Sequence, residues 1–184
     1  MSHIRQFDHV GITVADLDSV TAFFADLGLE VEGRTFVEGE FIDTVIGIPD
    51  SRTEIVMLRP PDGGAGVELA SFVRPDHEPG SPTAMANELG LRSICFEVDD
   101  LQAAVDGLAA NGYGLVGGIG QHENTWRMAH VRGPEGIVVS LTERIDSLES
   151  TLLDAVEPTE DLIVVARHAP ALLGADEPRS YLLL

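Results

Sequence analysis

The sequence contains no lysine, so its eleven basic residues are all arginine. This absence excludes a lysine Schiff base and a lysine general base. Thirty-one acidic residues oppose the arginines, and the formal net charge is -20. A surface of this charge repels nucleic acid and anionic membranes, so we expect a small-molecule ligand and neither of these partners.

Cysteine and long apolar runs are also scarce. Cys95 is the single cysteine, which excludes an internal disulfide and is typical of a reducing cytoplasm. No apolar run approaches the roughly 20 residues that span a bilayer, and no basic start precedes an apolar stretch. We therefore expect a cytoplasmic protein whose 184 residues form one compact domain or two small fused modules.

An internal repeat organises most of the chain. A shift of 84 positions aligns residues 9–33 with residues 93–117 without a gap. In both copies alternating apolar residues predict a strand, helical spacing predicts a helix after it, and further apolar strands follow. The sequence therefore predicts an α+β fold of two tandem βαβββ modules, residues 5–72 and 91–144, joined by a linker over residues 73–90.

The two predicted helices carry matching end signals. Acidic residues are expected to cap their first turns, namely Asp16 or Asp18 in the first copy and Asp99 or Asp100 in the second. Gly28 and Gly112 stand where each helix is expected to end in a left-handed residue.

Residues 145–184 lie outside the repeat. Apolar residues recur there at helical spacing until Pro158, where the predicted helix stops. We expect a C-terminal helical extension or tail that packs on its own domain or on a second subunit, and a homodimer is the expected assembly.

Tandem βαβββ modules that open with "DHVGITVADLD" resemble the vicinal oxygen chelate superfamily. That group includes glyoxalase I, methylmalonyl-CoA epimerase, extradiol dioxygenases and the bleomycin resistance proteins. The hairpin "RGPEGIVVSLTE" resembles a glyoxalase-like subgroup of it. The resemblance implies a curved mixed sheet around a central cavity, with metal ligands on the first and fourth strands of each module.

The resemblance places His9 and Glu68 at the ligand positions of the first module, with Ser93 and Ser140 at those of the second. His and Glu are good ligands for Zn, Fe, Mn, Co or Ni, whereas a neutral serine hydroxyl is a poor one. One interpretation is a weak divalent metal site of His9 and Glu68. The other is a metal-free His–Glu pair, with both serines contacting substrate at the cavity floor.

The pairing register of the last hairpin determines whether Arg127 is a further site candidate. We expect Arg132 and Ile137 to flank the "GPEG" turn. That register pairs Arg127 with Thr142 and turns Arg127 inward, where it clamps a substrate carboxylate or phosphate. A salt bridge from Arg127 to an acidic residue is the alternative. The same register turns His130 outward, so His130 is not expected to be a ligand.

The remaining substrate-binding candidates lie near the start of the predicted strand that contains Arg127. His122 lies on the approach to the strand, where it either reaches the cavity mouth or is solvated. Trp126 either lines an apolar pocket or belongs to the ordinary core.

Three functions remain open from the sequence. The first is a lyase or isomerase whose metal polarises a small oxygenated or carbonyl substrate. The second is a metal-free binding protein of the bleomycin-resistance type, for which the acidic charge suits a cationic or aromatic ligand. The third is metal-free acid–base catalysis by His9 and Glu68. Ser93 and Ser140 argue against glyoxalase I itself and against ring cleavage.

Overall fold

The computed structural model describes residues 5–122 and 125–145, and the first repeat copy forms its first sheet. This sheet has the strand order β1-β4-β3-β2. Its strands are β1 (His9–Thr13), β2 (Glu30–Glu38), β3 (Arg52–Arg59) and β4 (Gly66–Arg74). Helix α1 (Leu17–Asp26) joins β1 to β2, and helix α2 (Glu40–Ile46) joins β2 to β3.

The second copy forms a five-stranded sheet with the order β5-β9-β8-β6, and β7 also pairs with β8. Its strands are β5 (Ile94–Glu97), β6 (Gly114–Leu115), β7 (Gly120–His122), β8 (Trp126–Arg132) and β9 (Val138–Arg144). Helix α3 (Leu101–Ala110) follows β5, and one 3-10 turn (Pro134–Gly136) lies between β8 and β9.

The two sheets have equivalent topology. The first strand of each module pairs in parallel with the last, and the remaining pairs are antiparallel. In the second module the short strands β6 and β7 occupy the place that β2 has in the first. The predicted α+β fold of tandem βαβββ modules is confirmed.

The helix ends repeat as closely as the strands. The side chains of Asp16 and Asp100 each accept a hydrogen bond from the backbone N–H three residues later, at 3.0 and 2.9 Å. Gly28 and Gly112 have φ angles of 98° and 88°, which a residue with a side chain rarely adopts. Both capping predictions are confirmed, with Asp16 and Asp100 as the N-caps.

One core serves both modules. The rings of Phe24 on α1 and Phe96 on β5 lie 6.4 Å apart, and those of Phe23 and Tyr113 lie 4.9 Å apart. Both sheets belong to a single compact unit, with α1 and α3 packed into the shared core. In each sheet one face packs against the helix of its own module. We call the opposite face the inner face.

A carboxylate also fastens the second module to the first. Glu135, in the 3-10 turn, accepts the backbone N–H of Ala15 at 2.9 and 3.0 Å and that of Asp16 at 2.6 Å. These N–H groups precede α1, where a negative charge is favoured by the helix dipole. The turn is thereby fixed beside the end of β1.

No helix within residues 5–122 and 125–145 is both long enough and apolar enough to cross a membrane. The predicted C-terminal extension falls on residues outside the described part of the chain from residue 146 onward. That extension, and the homodimer expected from it, stay predictions.

Candidate functional site

The inner face of the first sheet carries His9 and Glu68. Val67 and Leu69 are buried in the core that contains α1, so Glu68 between them points to the opposite face. The parallel register places Gly11 beside Glu68, and His9 lies two residues earlier on β1. His9 and Glu68 therefore share one face, separated diagonally across two neighbouring strands.

His9 is oriented by the residue before it. Its Nδ1 lies 2.7 Å from Oδ2 of Asp8, so in the neutral ring Nδ1 carries the proton and Nε2 remains an acceptor. This hydrogen bond is the largest cause that lowers the pKa of the Asp8 carboxyl, which favours the ionised form. The side chain of His9 is 35% exposed, so part of the ring is accessible to solvent.

The inner face of the second sheet carries Ser140 and His130. Cys95 lies beside Ser140 on one side and His130 on the other. Leu141, the next residue, is buried in the core with α3, so Ser140 faces away from that helix. Ser93 lies two residues before Cys95, directly before β5 begins, so its place in the alternation matches that of Cys95.

The position of His130 corrects the register that the sequence suggested. Arg132 pairs with Val138, because the turn holds the five residues 133–137 and not four. A slip of one residue turns every side chain of a strand to the other face. The expectation that Arg127 faces inward and His130 outward is therefore wrong.

Arg127 instead supports the helix side of the second module. Its Nη1 donates to Oε2 of Glu143 at 3.0 Å, and Glu143 lies directly opposite on β9. The same oxygen accepts the backbone N–H of Leu101, the first residue of α3, at 3.1 Å. Arg127 therefore balances a carboxylate that holds the start of α3, which is the salt-bridge alternative expected from the sequence.

Replacing Arg127 with glutamine should lower the unfolding free energy by about 1–2 kcal/mol, because Glu143 then keeps a partly buried charge without its cation. Urea denaturation measures this loss, and ligand binding should stay unchanged. Arg34→Gln breaks more exposed ion pairs and should cost less than about 1 kcal/mol. A variant that keeps full stability but loses ligand binding would contradict the structural role.

His122 and Trp126 face each other as a pair on β7 and β8. His122 is exposed, whereas Trp126 is partly buried, with the Arg144 guanidinium stacked 4.7 Å from its ring centre. Neither residue lines the two cavities described below. Their part in substrate binding stays a prediction.

A cavity of about 350 Å³ lies where the modules meet. Its walls come from β1, the linker, the start of β5 and the turn before β9. Ser93 lines this cavity, whereas His9, Glu68 and Ser140 do not belong to its lining. Gly11 forms part of the wall beside Glu68, and a Cβ added there would meet nothing within 4 Å. The missing side chain therefore leaves open space in front of Glu68.

A smaller cavity of about 200 Å³ adjoins the first and shares Arg92 and Ser93 with it. His130 and Arg132 also belong to its wall. Sequence reasoning missed Arg92 and His130 as site residues. Arg92 could have been found, because it directly precedes the candidate Ser93 in the sequence. His130 was missed because the wrong hairpin register turned it outward.

The vicinal oxygen chelate superfamily, which the sequence resembles, often binds a divalent metal. The family's four ligand positions hold His9, Glu68, Ser93 and Ser140, which supply one imidazole, one carboxylate and two neutral hydroxyls. Within the described residues, no three His, Cys, Asp or Glu side chains are grouped so as to hold a metal ion. These residues do not fit the four-ligand site of the family.

Comparison with known families agrees with the fold. The model of the Glyoxalase/Bleomycin resistance protein/Dioxygenase superfamily matches residues 6–141, which span both modules. The chain belongs to this superfamily. The resemblance inferred from the repeat and from the closing hairpin is thereby confirmed.

Individual relatives extend the comparison. An ethylmalonyl-CoA/methylmalonyl-CoA epimerase of Cereibacter sphaeroides is 32% identical over 145 residues, covering 76% of this chain and 98% of the relative. A glyoxalase family protein of Bacillus cereus has a solved structure with a TM-score of 0.76 and 38% identity, covering 78% of this chain and 97% of that one. A glyoxylase/bleomycin resistance protein/dioxygenase domain from Frankia sp. EAN1pec shares the fold, with a TM-score of 0.56, 18% identity and coverage of 78% and 95%.

Proposed function

We propose that this chain is an isomerase-type enzyme that moves a proton at a carbon next to a carbonyl group of a small substrate. The observation that carries the proposal is the pair of proton-transfer groups on one inner face. His9 is oriented by Asp8, and Glu68 lies across the open position at Gly11. The epimerase relative, which is 32% identical over 98% of its own length, supports this reaction class.

The two groups suit a reaction that inverts a carbon centre. Strand spacing and rise place the Cα atoms of His9 and Glu68 about 8 Å apart, which leaves room for a planar carbon between their side chains. When the C–H bond breaks, His9 Nε2 takes the proton and the electron pair moves onto the carbonyl oxygen as an enolate. Glu68 in its acid form then returns a proton to the opposite side of the carbon.

The enolate oxygen needs a hydrogen-bond donor, because negative charge develops on it. We assign this donor to the Ser93 hydroxyl, which lines the cavity at the module junction. In the family pattern an imidazole stands at position 93. The serine found there is a poor metal ligand, but it can donate a hydrogen bond. No step of this scheme passes through a metal ion.

Hydrogen exchange tests the proposal directly. The purified chain is incubated in D₂O with methylmalonyl-CoA or ethylmalonyl-CoA, and mass spectrometry follows deuterium at the carbon between the two carbonyl groups. We expect enzyme-dependent exchange together with inversion of that carbon. Exchange no faster than in buffer, for either thioester, would refute the proposed reaction on this substrate class.

Filling the open position should block the site without harming the fold. In Gly11→Leu we expect exchange to fall at least about 100-fold, because the new side chain occupies the space in front of Glu68. Gly107→Leu is the matched control, since Gly107 lies on α3, outside both cavities, and an added Cβ there also meets nothing within 4 Å. Thermal unfolding should show both variants folded. Undiminished exchange in Gly11→Leu would remove this cavity from the mechanism.

The second candidate function is metal-free binding without catalysis. The observation that favours it is the replacement of two family ligand positions by Ser93 and Ser140, which leaves a cavity without the donor set for a metal. Saturable binding of a small ligand by a chain that catalyses no exchange would support this function instead.

A further inference from the structure

The smaller cavity has a charge opposite to that of the whole protein. The chain carries 31 acidic and 11 basic residues. The described lining of this cavity nevertheless includes Arg92, Arg132 and His130, and it includes no Asp or Glu. A wall of this composition attracts a negative group, although the average surface repels one.

Among the residues that the structure describes, Arg92 differs from most arginines in having no partner. Six arginines of the described residues pair with Asp or Glu, namely Arg34, Arg52, Arg59, Arg74, Arg127 and Arg144. Arg92 makes no hydrogen bond and no ion pair within the described residues, and its Nε is buried without an acceptor. Leaving a buried charged donor unpaired is costly, so an acceptor supplied by a ligand would restore the lost stabilisation.

The backbone just before Arg92 leaves room for its guanidinium. Gly90 has a φ of 110°, and a Cβ added there would lie 3.1 Å from Nη2 of Arg92. A side chain at residue 90 would therefore crowd the guanidinium, and glycine leaves it room. Arg92 belongs to the lining of both cavities.

Arg132 also lies in the wall of the smaller cavity, but its hydrogen bonds go to the protein and not to a ligand. It donates to the carbonyls of Pro82 and Ala84 in the linker, at 3.0 and 2.9 Å. Gly136 faces the same stretch, and a Cβ there would overlap the backbone of Pro82. The linker is thus fixed over the cavity. The charge of Arg132 adds to the local field while both of its Nη groups donate to the protein.

We propose that Arg92, with Ser93 and His130 beside it, binds an anionic group of the ligand, either a carboxylate or a phosphate. A guanidinium matches both groups through paired N–H donors. The cavity of about 200 Å³ is smaller than usual sites for whole ligands, so it suits one group of a ligand that extends into the larger cavity. The inference rests on the proposed function in one respect, since it assigns the carbonyl substrate to the class of organic anions.

Calorimetry at low ionic strength tests the subsite with three probes: inorganic phosphate, malonate and the neutral malonamide. We expect the unmodified chain to bind phosphate or malonate and not malonamide, and the stronger anion identifies the preferred group. Arg92→Gln should weaken that binding at least about tenfold, because the positive charge and the paired N–H donors of the guanidinium are lost. The matched control Arg34→Gln removes an arginine outside both cavity linings and should bind within about twofold of the unmodified chain.

Two results would overturn the proposal: equal anion binding by Arg92→Gln and the unmodified chain, or no binding of either anion by the unmodified chain. Thermal unfolding checks that Arg92→Gln is folded. Should it be unfolded, Arg92→Lys keeps the charge without the planar fork, and unchanged affinity in that variant also contradicts the paired geometry. Phosphate has no carbon-bound proton, so its binding is independent of proton transfer. A failure of the exchange reaction and a failure of the anion site are therefore distinguishable.

Discussion

Replacing His9 with asparagine is expected to abolish inversion of the substrate carbon, with a loss of at least about 100-fold, because a positioned general base contributes about 10²–10⁴-fold. Asparagine keeps a polar group of similar size near Asp8 but has no nitrogen that can accept a proton. His9 does not belong to the lining of the junction cavity. In the proposed scheme it acts on the substrate only through its ring nitrogen, so the rate should fall far more than the affinity. The rate of inversion, measured by chiral separation of the thioesters, is the primary observation.

The two-base scheme makes a sharper prediction for exchange than for inversion. His9→Asn should lose exchange with one enantiomer and retain it with the other, because Glu68 still reaches its own side of the carbon. Glu68→Gln should show the reverse preference. If both variants lose exchange with the same enantiomer, the two groups lie on one side of the carbon and the scheme is wrong.

Asp8 supplies an independent check on the orientation of His9. The pKa of Asp8 is lowered chiefly by the hydrogen bond from His9, so the stabilising interaction is present above the ordinary Asp range. It is lost as the pH falls through the lowered pKa. In His9→Asn the pKa of Asp8 should rise toward its ordinary value, which carbon-detected NMR titration measures. An unshifted Asp8 pKa would mean that the two side chains do not interact in solution.

The parts of the fold that the sequence predicts are those governed by local rules. Asp16 and Asp100 cap helices through a backbone N–H only three residues away, and Gly28 and Gly112 adopt left-handed backbone by their own freedom. A fixed spacing of 84 residues then relates the two modules without any knowledge of distant contacts. For this reason the repeat, the caps and the module topology follow from the sequence.

The hairpin register could not be predicted because its turn uses an uncommon backbone. Glu135 has a φ of 54° and Gly136 a φ of 82°, so two consecutive residues are left-handed. Glutamate rarely adopts this conformation, and its carboxylate is held by the N–H groups of Ala15 and Asp16, more than a hundred residues earlier. A distant contact thus accompanies the five-residue turn, and the register decides which of Arg127 and His130 faces inward.

The charged cavity was unpredictable for a related reason. Its wall depends on where the linker lies, and the linker is fixed by Arg132 and by the missing side chain of Gly136. Neither contact has a sequence pattern of its own. Net charge alone favoured a cationic ligand, but the groups that line a cavity determine its field more than the average surface does.

Restoring the family pattern by combining Ser93→His with Ser140→Glu is expected to raise the affinity for Zn²⁺ or Co²⁺ by orders of magnitude, because four nitrogen and oxygen donors then replace two. The parent chain offers only His9 and Glu68 at these positions. Ser140 is 4% exposed, so the larger glutamate must extend toward the inner face, where its strand neighbours are Cys95 and His130. Calorimetry with each metal measures the gain.

The gain in metal affinity must depend on all four family ligand positions if the modules are equivalent. Adding His9→Ala to the double variant should remove most of it, since one imidazole is lost from a small donor set. The combination of Ser93→Ala with Ser140→Ala is the matched control, which alters the same positions without adding a ligand. A double variant that is folded by circular dichroism but binds metal no better than this control would show that Ser93 and Ser140 do not converge with His9 and Glu68. The two modules would then share their strand order without sharing the position of these side chains. Metal-free binding in the junction cavity would become the better account of the protein.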